Sequence, residues 1–377
     1  MTKTVETDFR PGTTPLRQRW WSGWPHWSAY AAAVWSLLYG MAGLYWSFGG
    51  AGYPFARVAE NRSSGSLLEP SQAGVVAPLI AAVGLLGVVC GVLMAQGRGR
   101  RGLLLAAGWC QAAVFALLVP DYTLIALVAF APLFLVFAFT GLPGQQGGLG
   151  EVLFWHRDNL VIVFVGGALW ALATLAYQRR SRGLCVHCGR GSRTAPWTTP
   201  EAAARWGRRA VWTALLSTMP YEATRLAWYL GYPLGITDAF LKDMQDTPYM
   251  LDIGLGLGVA SLLGGVLTHG LTARWGEVWP RWVWRKAGRP VAPAVAIVPA
   301  ALVSAVLIPG GIMMIRGGIQ PEGWGTNVPA MFWIVWGAAL GAATLAYYLR
   351  RRGTCGYCGG GRAPEELPAP GVPVSSS

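Results

Sequence analysis

Charge is scarce in this chain of 377 residues: Asp, Glu, Lys and Arg make up only 12% of it, against about 25% in soluble domains. That shortage argues against a large soluble helical protein with a big core. No segment carries a Walker phosphate loop, a GxSxG elbow, an HExxH helix or the Rossmann glycine pattern. The usual sequence routes to nucleotide, acyl-transfer and metalloprotease chemistry are therefore missing. The first 19 residues are polar, include Pro11 and Pro15, and hold no apolar stretch of the kind a cleavable signal needs. Cysteine is limited to 6 residues and histidine to 4, so the placement of each carries weight.

What remains is apolar. Hydrophobic residues fill 53% of the chain, with 51 Gly and 20 Trp, and several apolar runs approach or exceed the length that spans a bilayer. The reading is an all-α polytopic membrane protein of the cell membrane, surrounded by lipid. Helix is the only available state for such segments, because an open sheet edge would leave backbone groups unsatisfied in lipid. Expected spans lie near 28–50, 72–95, 123–141, 159–177, 209–230, 249–270, 291–311 and 327–348. Trp20, Trp21, Trp24 and Trp27 lead into the first, where aromatic rings suit the head-group level.

The formal charge of +13 is clustered at RQR (17–19), GRGRR (97–101), QRRSR (178–182), RWGRR (205–209), RWVWRK (281–286) and LRRR (349–352). Each cluster flanks an apolar run, as cytoplasmic flanks do under the positive-inside rule. Anionic head groups account for these charges without a nucleic-acid partner.

The chain repeats itself. GALWALATLAY (167–177) aligns with GAALGAATLAY (337–347) at an offset of 170, which also carries CVHCG (185–189) onto CGYCG (355–359). LYGMAGLYWSFGG (38–50) weakly echoes MPYEATRLAWYLG (219–231). These matches imply two parallel internal repeats of about four transmembrane helices each. The segments are then 1–27, a repeat at 28–190, a linker at 191–208, a repeat at 209–360, and a Pro-, Gly- and Ser-rich tail at 361–377. The counterpart of 102–119 is 272–289, TARWGEVWPRWVWRKAGR, which reads as an interfacial helix with snorkelling arginines. By analogy, and because a crossing would place GRGRR outside against the charge bias, 102–119 reads as interfacial or re-entrant, giving eight spans with both termini inside. Its apolar character favours the alternative, nine spans with the amino terminus outside.

RWGEVWPRWVWRKAGRPV (274–291) and LLVPDYTLIALVAFAP (117–132) give the chain a further likeness. It resembles uncharacterised multi-span membrane proteins of actinobacteria, a resemblance that implies membrane embedding and no particular activity.

CxxCG is a half-site for a tetrahedral metal: two intervening residues let both sulfurs reach one ion, and the glycine permits the turn. Cys185, Cys188, Cys355 and Cys358 therefore form a candidate four-thiolate site for structural Zn2+, stapling the repeats on the cytoplasmic side. A redox pair, an iron centre and inert or disulfide-bonded thiols are the alternatives, with His187 as a substitute ligand. Cys90 and Cys110 read as small buried hydrophobes.

In STMPYEATRLAWY, Glu222 and Arg225 are three apart on one helix face, beside a kink expected at Pro220. They are the candidate intramembrane functional pair, since ionic groups in spans are costly. Gly40 and Gly43 of the other repeat would supply room for them. His269 reads as interfacial, Asp252 as a helix cap, and 232–250 as a solvated acidic loop. His156 and Asp158 of WHRDN are too little for an enzyme assignment. Two functions fit: a transporter or transporter subunit, or a scaffold or sensor that assembles with another membrane protein or a second copy. A continuous polar cavity reaching Glu222 favours the first; a closed, apolar repeat interface with an exposed cytoplasmic knuckle favours the second.

Overall fold

The computed structural model describes residues 23–57, 65–129, 154–191 and 195–360, apart from 282, 284 and 285. Helices α1 (Trp24–Ser47), α2 (Ala73–Gln96) and α3 (Arg101–Ala113, running on through a π turn at Val114–Leu118) come first. A helical stretch at 123–129 follows, then α4 (Trp155–Ser181) and α5 (Pro200–Tyr229). The remainder comprises α6 (Asp238–Asp246), α7 (Met250–Gly270), α8 (Pro293–Gly317), α9 (Val328–Met331) and α10 (Trp333–Arg351). Among the described residues, pairing outside helices is confined to two isolated bridges.

Among the described residues, six helices are long and apolar enough to cross a membrane: α2, α3 with its π turn, α4, α7, α8 and the run Val328–Arg351. α1 and α5 have 24 and 30 residues. Their Trp, Tyr and Ser, and in α5 Arg and Glu, dilute the apolar character. Local signals set the ends. Gly97 closes α2 with φ of 68°, a conformation open to glycine without strain. Thr199 caps α5 by accepting from the Ala202 N–H, with Pro200 in the first turn. α5 thus begins inside the expected 191–208 linker.

One end of the bundle collects the cysteines. There α4 and α10 finish, α5 starts with Ala203 against Ala346 and Leu349, and α2 ends where Arg180 donates to the Met94 carbonyl. α1 runs antiparallel to α2, Gly40 facing Gly84 and Gly43 facing Ala77 and Ala81. α1 also packs on α4, and α4 on α3. In the second half α5 packs on α7 and α10, and α10 on α8.

Two expectations change, and a third lies largely outside the described residues. Segment 101–118 is a continuous helix along α4, with Gly108 at Thr174 and Ala116 at Gly167. It runs the length of the bundle and is neither interfacial nor re-entrant. GRGRR joins α2 to α3 at the cysteine end, so the charge bias that spoke against this crossing is absent. Segment 123–141 is described only to 129. It begins beside Val119, which packs in one cluster with Leu160 of α4, so α3 ends and α4 begins at the same end of the bundle; the rest of the expected span lies outside the described residues. Segment 272–289 is not an interfacial helix: after a 3₁₀ turn at Arg274–Gly276 it folds into a hairpin. Val278 bridges Pro290, Trp279 N–H donates to the Arg289 carbonyl, and Val291 N–H donates to the Glu277 carbonyl. Interleaved prolines and tryptophans break the helical period, and Arg350 and Arg351 of α10 hold the hairpin's base by Glu277 (2.8 Å) and the Val291 carbonyl (2.8 Å).

Close packing of α1 on α2 yields a test. A Cβ on Gly84 would lie 2.5 Å from the Gly40 Cα and 2.7 Å from the Ser36 carbonyl oxygen. Gly84→Val is expected to lower stability by about 1–3 kcal/mol, as overpacking does. Reversible unfolding in mixed micelles measures it, and an unchanged midpoint would contradict this packing.

Candidate metal centre and intramembrane site

The two knuckles fold alike. In the first, Gly189 N–H donates to the Cys185 carbonyl and Cys185 N–H to the Arg190 carbonyl. In the second, Gly359 N–H donates to the Cys355 carbonyl and Cys355 N–H to the Gly360 carbonyl. Gly189 and Gly359 have φ of 70° and 65°, so each turn needs its glycine. His187 and Tyr357, one from each knuckle, stack with centroids 3.5 Å apart and planes 9° from parallel.

This pairing brings four sulfurs together. Cys185 Sγ lies 3.9 Å from Cys355 Sγ and Cys188 Sγ lies 3.6 Å from Cys358 Sγ. All four lie within 4.8 Å of one another. A tetrahedral zinc with Zn–S near 2.3 Å needs sulfurs about 3.8 Å apart, so the cluster is positioned to chelate one metal ion and fits structural Zn2+. Cys188 is buried, Cys185 and Cys355 half-buried, and Cys358 exposed. His187 lies outside the group, its ring occupied by Tyr357.

Second-layer contacts hold the clip. Arg190 donates to the carbonyls of Gly353 and Gly360 (both 2.9 Å) and of Arg352 (3.1 Å). Arg179 donates to the carbonyls of Val186 and His187. The thiols are unequal. Burial pushes Cys355 up, but backbone N–H groups of Cys358 and Tyr357 and nearby thiols outweigh it, leaving it at about 7. Burial pushes Cys188 up to about 12, with the neighbouring thiols adding to it. Four adjacent thiolates repel, and a dication removes that conflict by displacing the remaining protons.

Each purified chain is therefore expected to carry one zinc, measured by elemental analysis. Cys355→Ser should lower metal content and melting temperature, and full retention after loss of both Cys355 and Cys358 would refute the four-cysteine site. Metal-free protein should release protons on zinc uptake. Its apparent affinity should climb as pH rises through about 7, where Cys355 ionises, and fall on acidification; potentiometric and fluorimetric titration give both.

Glu222 and Arg225 share α5, which continues through Pro220, but each has its own partners. Glu222 Oε1 accepts from Ser261 Oγ of α7 at 3.2 Å. The Arg225 guanidinium lies over the rings of Tyr221 (4.5 Å) and Trp228 (4.2 Å). Among the described residues it forms no hydrogen bond or ion pair, and its buried Nη1 has no partner. A cation in a span costs on the order of 3 kcal/mol at mid-bilayer, and each ring face returns about 0.5–2 kcal/mol. The rings therefore hold the charge without neutralising it. Room for its stem comes from Gly254 and Gly258 of α7; Gly40 and Gly43 serve the α1–α2 contact instead. Combining Glu222→Gln with Arg225→Gln should give nearly additive stability changes, within about 0.5 kcal/mol. A strong coupling measured in the double-mutant cycle would restore a direct pair.

Three cavities follow one face of α7. The first, about 260 Å³, is bounded by Arg225, Tyr221 and Trp228, with Phe240 and Met244 of α6 and Leu257 of α7. The second, about 330 Å³, shares Tyr221 and Leu257 with it and includes Ser261, Gly264 and Trp336. The third, about 870 Å³, shares Gly264, Val303 and Trp336 with the second and opens against Trp275 and Trp279 of the hairpin. Trp336 Nε1 is buried there without a partner among the described residues.

Sequence reasoning missed other polar positions. Asp121 and Asn159 are fully buried; Asp121 caps the Thr123 N–H (2.8 Å) and Asn159 accepts from the Tyr39 hydroxyl (2.9 Å). Neither was singled out from the sequence, since their partners lie elsewhere in the chain or in local backbone geometry. The 232–250 loop contains α6, whose Leu241 and Met244 pack on Trp228 while Asp238, Asp243 and Asp246 stay exposed.

Comparison with known proteins finds no matching family model, no matching curated protein and no matching solved structure.

Proposed function

We propose that this protein is a membrane transporter, or the transporting subunit of a larger assembly, built from two copies of a four-helix unit that a cytoplasmic zinc clips together. The observation that carries the transport reading is the series of cavities along α7, which leads from Arg225 at one end of the bundle to the hairpin at the cysteine end. The second cavity reaches Ser261, the partner of Glu222. The walls are apolar and not the polar cavity expected of a transporter, so the support for a pathway is the open space itself, where a scaffold would close its interface.

The duplication draws support from matched burial at the offset of 170. Gly167, Ala173, Thr174, Ala176 and Tyr177 of α4 are buried, as are Gly337, Ala343, Thr344, Ala346 and Tyr347 of α10. Gly167 meets α3, and Gly337 meets α8. α1, α2, α3 and α4 thus correspond to α5, α7, α8 and α10: in each unit the first helix packs on the second and the fourth, and the fourth on the third. Eight traversals follow, with the described chain entering and leaving at the cysteine end. GRGRR, QRRSR, RWGRR, the hairpin's Lys286 and LRRR gather at that end, while Asp238, Asp243, Asp246 and Asp252 lie at the other. Under the positive-inside rule the cysteines are cytoplasmic, where thiols stay reduced.

Accessibility of the path tests the transport reading without a known substrate. Ser261→Cys and Gly264→Cys, each in a zinc-loaded Cys90→Ala, Cys110→Ala background, are treated with membrane-impermeant thiol reagents from either side of sealed vesicles. Transport predicts labelling from both sides. Inertness from both sides, in folded protein with full zinc content, would remove the pathway.

A further inference from the structure

We propose that the α7 path receives an anionic amphiphile, an oxyanion head on an apolar tail, with the head recognised by Arg225. This inference rests on the transport reading and names the substrate class for it. The walls are almost wholly apolar: Leu257, Gly264, Val303 and Trp336 line the middle, and Trp275 and Trp279 the cysteine end. Hydrated inorganic ions and sugars would lose their water there without replacement partners. An apolar chain loses nothing.

Both ends of the path offer positive charge. At one end Arg225 is held by two ring faces, with no anion among the described residues. A guanidinium so placed presents a planar fork that suits carboxylate or phosphate oxygens. At the cysteine end, Arg274, Arg281, Lys286 and Arg289 are exposed on and beside the hairpin whose tryptophans wall the third cavity. Glu277 does not offset them, because Arg350 pairs with it at 2.8 Å. The exposed Asp238, Asp243 and Asp246 of α6 flank the first cavity and oppose a multiply charged anion arriving from water. A head of low charge that enters from the bilayer avoids most of that repulsion.

The two units differ where this path runs, and the reason is local. Four residues, Gly97–Arg100, join α2 to α3, and those helices touch. Residues 271–292 join α7 to α8; the hairpin spreads the two helices, and the 870 Å³ cavity lies between them. Gly264 admits Trp336 as the neighbour of both inner cavities, a Cβ there lying 3.3 Å from the indole. A large side chain at 264 would close the path where the second and third cavities meet.

The test uses full-length, zinc-loaded protein in nanodiscs and liposomes. Native mass spectrometry with phosphatidylglycerol, oleate and phosphatidylcholine is expected to show binding of at least one of the two anionic amphiphiles, at least tenfold over the zwitterion. Arg225→Gln should remove that preference and Arg225→Lys should restore part of it. The preferred amphiphile should slow thiol labelling of Ser261→Cys. Gly264→Trp, with wild-type zinc content as the folding control, should block movement of the fluorescent amphiphile between leaflets. Oleate acting alone assigns a carboxylate head, and phosphatidylglycerol acting alone assigns a phosphate. Equal binding of all three, or a preference untouched by Arg225→Gln, overturns the proposal. Two-sided labelling without any amphiphile preference defeats the substrate class and leaves transport standing; absence of labelling from both sides defeats transport itself.

Discussion

Four sulfurs gathered from residues 170 positions apart hold the two halves of the bundle in register. Structural zinc sites carry apparent binding free energies on the order of 10–16 kcal/mol at neutral pH, whereas a typical hydrogen bond contributes about 1 kcal/mol. The other described contacts between the halves include Arg190 and Arg352 on opposing carbonyls, Arg316 on the carbonyls of Gly65 and Ser66, the Val114–Leu118 turn packed on α8, and Ile125 against the apolar cluster of Leu307 and Trp336. The halves are thus positioned for a metal clip at the cysteine end and packed by apolar contact farther along.

The metal centre was legible because its geometry is local. CxxC spacing and the following glycine dictate a turn whatever surrounds it, and one repeated offset says that two such turns end equivalent helices. Buried faces were legible too, since the small residues of GALWALATLAY and GAALGAATLAY recur where α4 and α10 meet their neighbours. Segment 101–118 was misjudged from its counterpart by offset, a hairpin that replaces the short α2–α3 link and shifts the helix correspondence. The partners of Glu222 and Arg225 were not legible, because the rotation of α5 against α7 decides them. Ser261, Gly254 and Gly258 lie on another helix, and nothing in the α5 sequence announces them. The cavities depend on absences of contact, which no motif encodes.

On the duplication reading, the two units have divided their labour. In the first, Gly40, Gly43 and Gly84 bring α1 and α2 together until backbone meets backbone, leaving a rigid wall. In the second, Gly254, Gly258 and Gly264 face Arg225 and Trp336, so the same residue type makes space for large side chains instead. Glycine serves contact in one unit and vacancy in the other, and the partner side chain sets the difference.

The order of the ligands along the chain also governs how the protein is made. A ribosome that has delivered the first knuckle has supplied two sulfurs, and Arg190 awaits the carbonyls of Arg352, Gly353 and Gly360. The site closes only when the last helix and the turn beyond it have left the exit tunnel. Until then the newborn halves are free to separate within the bilayer. Metal capture therefore marks the completion of synthesis, and a chain ending before Cys358 lacks the fourth sulfur that seals its halves together.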